Sequence, residues 1–286
     1  MAIRWGERTL VMGVLNLTPD SFSDGGRFTS AAQALKQARR MVAQGADVLD
    51  LGAQSTRPGA VEVGPEEELR RLLPVLEAIR ASIGGGELAP APLISVDTFH
   101  AAVAEAALAA GADWINDVRG ASTLRDPAML PLVARSGCPY VLMHSRGSSA
   151  AMDALASYGD VVREVRDALM AASAAALAAG VRREQLIWDP GLGFAKTTAQ
   201  NLALLRGLSQ LRAEGFPLLL GPSRKRFIGA VLEEPRATAR LWGTAAVCAQ
   251  AITAGADVLR VHDVGPIAQT ARMTDAIVRA APQVEL

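Results

Sequence analysis

Short apolar runs alternate along the chain with longer stretches in which apolar residues recur at helical spacing. The runs fall at Leu10–Leu15, within Gly45–Gly59, and at Leu93–Val96, Trp114–Val118, Tyr140–Met143, Leu186–Trp188, Pro217–Leu220 and Val258–Val261. Between them the spacing predicts helices over Thr29–Gln44, Pro65–Ser82, Phe99–Ala110, Pro127–Ser136, Gly159–Ala179, Gln200–Ala213, Thr238–Ala254 and Ile267–Ala280. Strands that are apolar on both faces belong to a parallel sheet covered by helices. Eight strands alternating strictly with eight helices in 286 residues fit an α/β fold of the (β/α)8 TIM barrel type, with a doubly wound open sheet as the competing architecture. No linker or shift in composition divides the chain, so one domain is expected over residues 1–286.

Three segments open alike, with Gly45-Ala-Asp, Gly111-Ala-Asp and Gly255-Ala-Asp. In each, an Ala-rich amphipathic run ends at Gly, as a helix closed by a left-handed residue does. A few apolar residues then deliver a polar group, which marks one repeated supersecondary unit. Polar residues recur at the end of every strand: Asn16, Asp50, Asp97, Asn116, His144, Asp189, Ser223 with Lys225, and Arg260 with His262. A core would reject such groups singly. In a barrel all eight strand ends converge on one mouth, where active sites lie.

Composition narrows the functions that such a mouth can serve. Lys plus Arg equals Asp plus Glu at 29 each, so no broad field attracts nucleic acid or an anionic membrane. Anion binding must be local. Cys138 and Cys248 lack metal or redox spacing and read as buried thiols. Leu10–Leu17 is broken by Gly13 and Asn16, unlike a signal peptide, and the Ala-rich stretch Ala171–Ala179 is too short to span a bilayer. A soluble, cytoplasmic protein is expected.

Charged groups inside a barrel mouth must pair with one another or with a ligand. Two carboxylates (Asp97, Asp189), an amide (Asn116) and an ammonium (Lys225) suit a heterocycle that both donates and accepts hydrogen bonds. A structural ion-pair network is the plainer alternative. Arg260 and His262, with Asn16 across the seam, suit a diphosphate, and Asn16 suits a bridging magnesium ion, although Asn also forms turns. Gly191-Leu-Gly193-Phe-Ala-Lys196 lacks the third glycine of a dinucleotide fingerprint and reads as a loop. The polar loops Thr18–Phe28 and Gln54–Val63 exceed the usual βα length and suit lids that exclude water.

The ordered motifs Met12-Gly-Val-Leu-Asn-Leu-Thr-Pro-Asp-Ser-Phe-Ser-Asp-Gly25, Asp50-Leu-Gly with Ser55-Thr-Arg-Pro-Gly59, Ser95-Val-Asp-Thr98, Ile115-Asn-Asp117, Asp189-Pro-Gly191, Ser223-Arg-Lys-Arg226 and Arg260-Val-His-Asp263 resemble those of the dihydropteroate synthase family. The resemblance implies a transferase that joins 6-hydroxymethyl-7,8-dihydropterin diphosphate to 4-aminobenzoate, with Mg2+, in a homodimer. It implies that Asp97, Asn116, Asp189 and Lys225 hold the pterin and that Asn16, Arg260 and His262 bind diphosphate, Asn16 also binding magnesium. It places Phe22, Thr56, Arg57, Pro58, Phe194 and Ser223 around aminobenzoate, with a helix opening after Lys225 toward the aminobenzoate carboxylate. The residues it makes catalytic are Asp97, Lys225, Asp189 and Arg260, with Asp97 stabilising a cation by proximity. Ala53 and Ser145 depart from the pattern: Ala53 disfavours a left-handed backbone there, and Ser145 is expected to make the rim more polar. A pterin-binding methyltransferase and a non-catalytic pterin-binding paralogue are the alternatives.

Overall fold

The computed structural model describes residues 3–17, 27–54 and 62–279. Eight parallel strands, β1 (Leu10–Asn16), β2 (Val48–Gly52), β3 (Leu93–Asp97), β4 (Trp114–Asp117), β5 (Tyr140–Met143), β6 (Leu186–Asp189), β7 (Leu219–Leu220) and β8 (Val258–Val261), form one ladder in the order β6-β5-β4-β3-β2-β1-β8-β7. The two end strands meet as well. Trp188 forms a parallel bridge with Leu218, and its N–H donates to the Pro217 carbonyl at 2.9 Å. That seam closes the sheet, which decides for the barrel over the open alternative.

Period-two alternation sorts each strand's side chains. Leu10, Met12, Val48, Trp114, Val141, Ile187, Leu219 and Val258 form a separate apolar cluster drawn from seven strands, as a filled barrel interior requires. Their neighbours, such as Leu49, Leu51, Ile94, Val96, Ile115 and Leu142, face outward and pack against the helices. One step further along the inward set stand Asp50, Ser95, Asn116, Asp189 and Arg260. A polar tier thus sits directly on an apolar plug.

The helices are α1 (Arg27–Ala43), α2 (Pro65–Gly84), α3 (Ala101–Ala109), α4 (Met129–Ser136), α5 (Val161–Ala178), α6 (Thr198–Arg206), α7 (Leu208–Arg212), α8 (Arg226–Leu232), α9 (Leu241–Thr253) and α10 (Val264–Val278). The expected helix over 200–213 is two, because Gly207 interrupts it where a Cβ would come within 2.7 Å of Val162 on α5. α3 begins two residues later than the expected Phe99. The helix starts at Ala101, whose N–H donates to Asp126 at 2.9 Å, and Asp97 is left to other partners. α2 opens with Pro65, as the expected range has it, followed by three Glu, of which Glu68 turns inward and is buried. Both cysteines are free and buried.

The repeated Gly-Ala-Asp has a clear structural role. Gly45, Gly111 and Gly255 all have φ between +96° and +100°. Each following Asp accepts the backbone N–H at the start of a neighbouring strand: Asp47 from Val11 at 2.9 Å, Asp113 from Ile94 at 2.7 Å and Asp257 from Leu218 at 3.0 Å. The unit thus sets the stagger of paired strands at the N-terminal end of the barrel, opposite the mouth.

Candidate active site at the C-terminal mouth

The polar tier is a connected network. Arg260 Nε donates to Asp50 Oδ2 and Arg260 Nη2 to Asp97 Oδ2, each at 2.6 Å. Asn116 Nδ2 donates to the same Asp50 oxygen at 3.2 Å. Burial alone would lower the Arg260 pKa, but Asp50 and Asp97 outweigh it and raise it, so the guanidinium is permanently charged. Burial pushes Asp97 up to about 7 against the pull of Arg260, with Asp50, Glu68 and Asp117 adding to the rise. Asp117, next in sequence to Asn116, faces the other way and accepts from Tyr140 Oη at 2.6 Å.

Across the mouth, Lys225 lies at the N-terminal boundary of α8 with its Nζ 4.2 Å from the centre of the Phe194 ring. Burial lowers it to about 8, with Asp189 opposing the fall. Asp189 accepts the Gly191 N–H at 2.7 Å and is raised by burial to about 6. Gly191 is held at φ +69°, where an added Cβ would sit 1.9 Å from the His144 carbonyl oxygen, so only glycine fits this crossing. Phe194, expected beside aminobenzoate, clusters with Phe99, Val118 and Met143, an apolar wall that no sequence signal announced. Arg119 stacks on the outer side of Phe99, 3.6 Å from the ring centre.

Sequence reasoning also missed Lys196. It is buried, and its Nζ is 3.0 Å from His144 Nδ1, the Gly191 carbonyl and the Phe194 carbonyl. Three acceptors match the three donors of an ammonium. The contact draws His144 behind the loop that carries Asp189 and Phe194. Burial lowers Lys196 to about 7, and burial with the nearby Lys196 and Arg146 charges holds His144 well below its ordinary range.

Asn16 ends β1 half-buried, beside Gly52 in the β1–β2 register. Ser223 Oγ accepts the His262 N–H at 3.1 Å and lies 2.9 Å from His262 Nδ1, which joins two residues assigned to different substrates. Phe22, Thr56, Arg57 and Pro58 lie outside the described residues, as does most of both lid segments. The departures prove mild. Ala53 does not adopt a positive φ, and the Ser145 hydroxyl is buried, donating to the Val118 carbonyl at 2.8 Å instead of facing the rim. A groove of about 600 Å3 beside the opposite ends of β1 and β2 includes Arg8, already paired with Asp47, and lacks comparable chemistry.

The pterin binding enzyme family matches residues 12–262. A dihydropteroate synthase from Synechocystis is 50% identical over 275 residues, 96% of this chain and 92% of the relative, and one from Bacillus subtilis is 45% identical over 276 residues, 96% and 91% of the two chains. A Clostridium difficile dihydropteroate synthase solved in the presence of pteroic acid superposes with a TM-score of 0.89 at 41% identity, covering 98% of this chain and all of the other. The Xanthomonas albilineans enzyme with 4-aminobenzoic acid gives 0.86 at 43% identity, over 96% and 94% of the two chains. Family match, near-full-length relatives and barrel topology agree, and the chain belongs to the pterin-binding enzyme family, among the dihydropteroate synthases.

Proposed function

We propose that this barrel condenses 6-hydroxymethyl-7,8-dihydropterin diphosphate with 4-aminobenzoate to give 7,8-dihydropteroate and diphosphate, a step of folate biosynthesis. The observation that carries the reading is the gathering of Asp97, Asn116, Asp189, Lys225 and Arg260, from five segments of the chain, around one apolar-walled mouth. Asp97 and Asp189 accept from ring N–H and amino groups, while Asn116 and Lys225 donate to ring acceptors. Phe194, with Phe99, Val118 and Met143, supplies an apolar wall for the aminobenzoate side of the mouth.

In the reaction the carbon–oxygen bond to diphosphate breaks with its electron pair leaving on oxygen. The aromatic amine then donates its lone pair to the carbon and releases a proton to the departing diphosphate or to water. The chain's part is electrostatic. Asp97 and Asp189, when ionised, favour a pterin-methyl cation beside them, while Arg260 and Lys225 balance their charge before the substrate reacts. Arg260 Nη1 makes no hydrogen bond among the described residues and is available to the departing diphosphate, with His262 and Asn16 beside it in this reading. Ser223, Thr56, Arg57, Pro58 and Phe22 serve aminobenzoate.

Magnesium belongs to the same proposal. Among the described residues no three His, Cys, Asp or Glu side chains gather into a metal cluster. Asn16, at the end of β1, would hold the ion through its amide oxygen, with oxygen ligands from diphosphate and water of the kind magnesium prefers. When bound, the ion neutralises charge on the leaving group. The active form in this reading is a cytoplasmic homodimer. Trp242 on α9 is 79% exposed, and Val231, Leu232, Met273 and Ile277 are exposed on α8 and α10, apolar side chains that a second copy would cover in this reading. No helix among the described residues is long and apolar enough to cross a membrane.

The test is diphosphate release by purified protein supplied with both substrates and magnesium. Release should require aminobenzoate and be blocked by a sulfonamide. Pterin binding without turnover would instead identify a non-catalytic paralogue, and methyl transfer from methyltetrahydrofolate the other enzyme class.

A further inference from the structure

Asp50 is fully buried on β2 and has no direct substrate contact in the scheme above. Its Oδ2 nevertheless accepts from two side chains at once, Arg260 on β8 and Asn116 on β4, strands that do not pair with each other. One of these serves diphosphate and the other the pterin. A single carboxylate oxygen therefore ties together the two halves of one substrate's site.

The geometry also aims the guanidinium. Arg260 presents its donors in a rigid planar fork. Asp50 takes Nε and Asp97 takes Nη2, so one edge of the plane is clamped between two carboxylates and the Nη1 end is directed away from both. Among the described residues the other Asp50 oxygen has no partner, and neither does the Ser95 hydroxyl opposite it in the β2–β3 register. A buried carboxylate with one oxygen unsatisfied is a poor device for stability, since an apolar side chain of similar volume would serve as well or better.

We infer that Asp50 is a positioning residue that fixes the orientation of Arg260 relative to Asn116 and holds the guanidinium that it shares with Asp97. The inference rests on the synthase reading above. The charged groups facing Asp97 are Arg260 from β8, Asp50 from β2, Glu68 from α2, Asp117 from β4 and Lys225 at the start of α8. Of these, Asp50 alone shares the Arg260 guanidinium with Asp97. Removing its charge takes away a like charge and leaves Arg260 to Asp97. Both effects favour the ionised Asp97.

Asp50→Asn keeps the shape and removes the charge. The expected result is a fall in kcat/KM for the pterin diphosphate of roughly tenfold or more, together with movement of the acid limb of its pH profile to lower pH. A fall with the limb in place would reduce Asp50 to scaffolding and overturn the inference, as would an unchanged kcat/KM. Should the variant not fold, the wild-type protein supplies a second measurement by nitrogen-15 NMR. The assigned Arg260 Nε–H should exchange slowly with solvent at neutral pH, and rapid exchange would overturn the fixed guanidinium. Wild-type protein that releases no diphosphate would sink the synthase reading instead. The carboxyl titration of Asp97 in wild type and variant, followed by carbon-13 NMR, would then still decide the coupling to Asp50.

Discussion

Asp97 and Lys225 bring opposite charges into the same mouth, and burial penalises both. Asp189 rises to about 6, Asp97 rises to about 7 and Lys225 falls to about 8. The pterin needs the carboxylates ionised and the lysine protonated. Affinity should therefore climb as pH passes through the range of the raised carboxyl groups and decline above about 8 as Lys225 loses its proton. Calorimetric titration of the pterin across pH tests this, and affinity flat from pH 5 to 9 would contradict it. Lys225→Met should erase the alkaline limb and weaken pterin binding by about 2–5 kcal/mol, the usual cost of truncating one partner of a buried charge pair. Unchanged affinity would remove Lys225 from the site.

At the level of elements, the Gly-Ala-Asp unit does two jobs. Its glycine ends the helix at positive φ, and its aspartate captures a backbone N–H on the adjoining strand. Asp257 is the most demanding copy. It is fully buried, and its two oxygens accept from Gly6 and from Leu218, each at 3.0 Å. An asparagine has only one acceptor oxygen to offer, so Asp257→Asn leaves a backbone N–H without its partner. Unfolding in urea should show a loss of about 1–3 kcal/mol, with pterin affinity unchanged because the substitution lies at the far end of the barrel from the mouth. A variant as stable as the parent would deny the aspartate this role. Sequence periodicity located these elements to within a few residues. It missed the break at Gly207, because the cause is the approach of Val162 from α5, which leaves no local mark.

At the scale of the whole molecule, closure through Trp188 and Leu218 turns eight strand ends into one rim, while α8, α9 and α10 carry apolar side chains that are exposed on the outside. If a second copy covers them, Trp242→Glu should shift the protein toward monomers in sedimentation equilibrium while leaving the fold intact. A wild-type protein that is monomeric at micromolar concentration would refute the homodimer.

By itself the sequence determined the alternation of strands and helices, the barrel class, and which strand ends carry polar groups. These depend on spacing along one segment, and spacing is visible in the letters. It also singled out Asp97, Asn116, Asp189, Lys225 and Arg260, because charges at the ends of apolar strands stand out. Only the tertiary structure decided how they pair: Arg260 shared by Asp50 and Asp97, Ser223 bound to His262, and Lys196 tucked behind the Asp189 loop. The Arg260 and Ser223 contacts, and that of Lys196 with His144, join residues tens to hundreds of positions apart. Their partners are chosen by strand register and barrel closure, which no local pattern encodes.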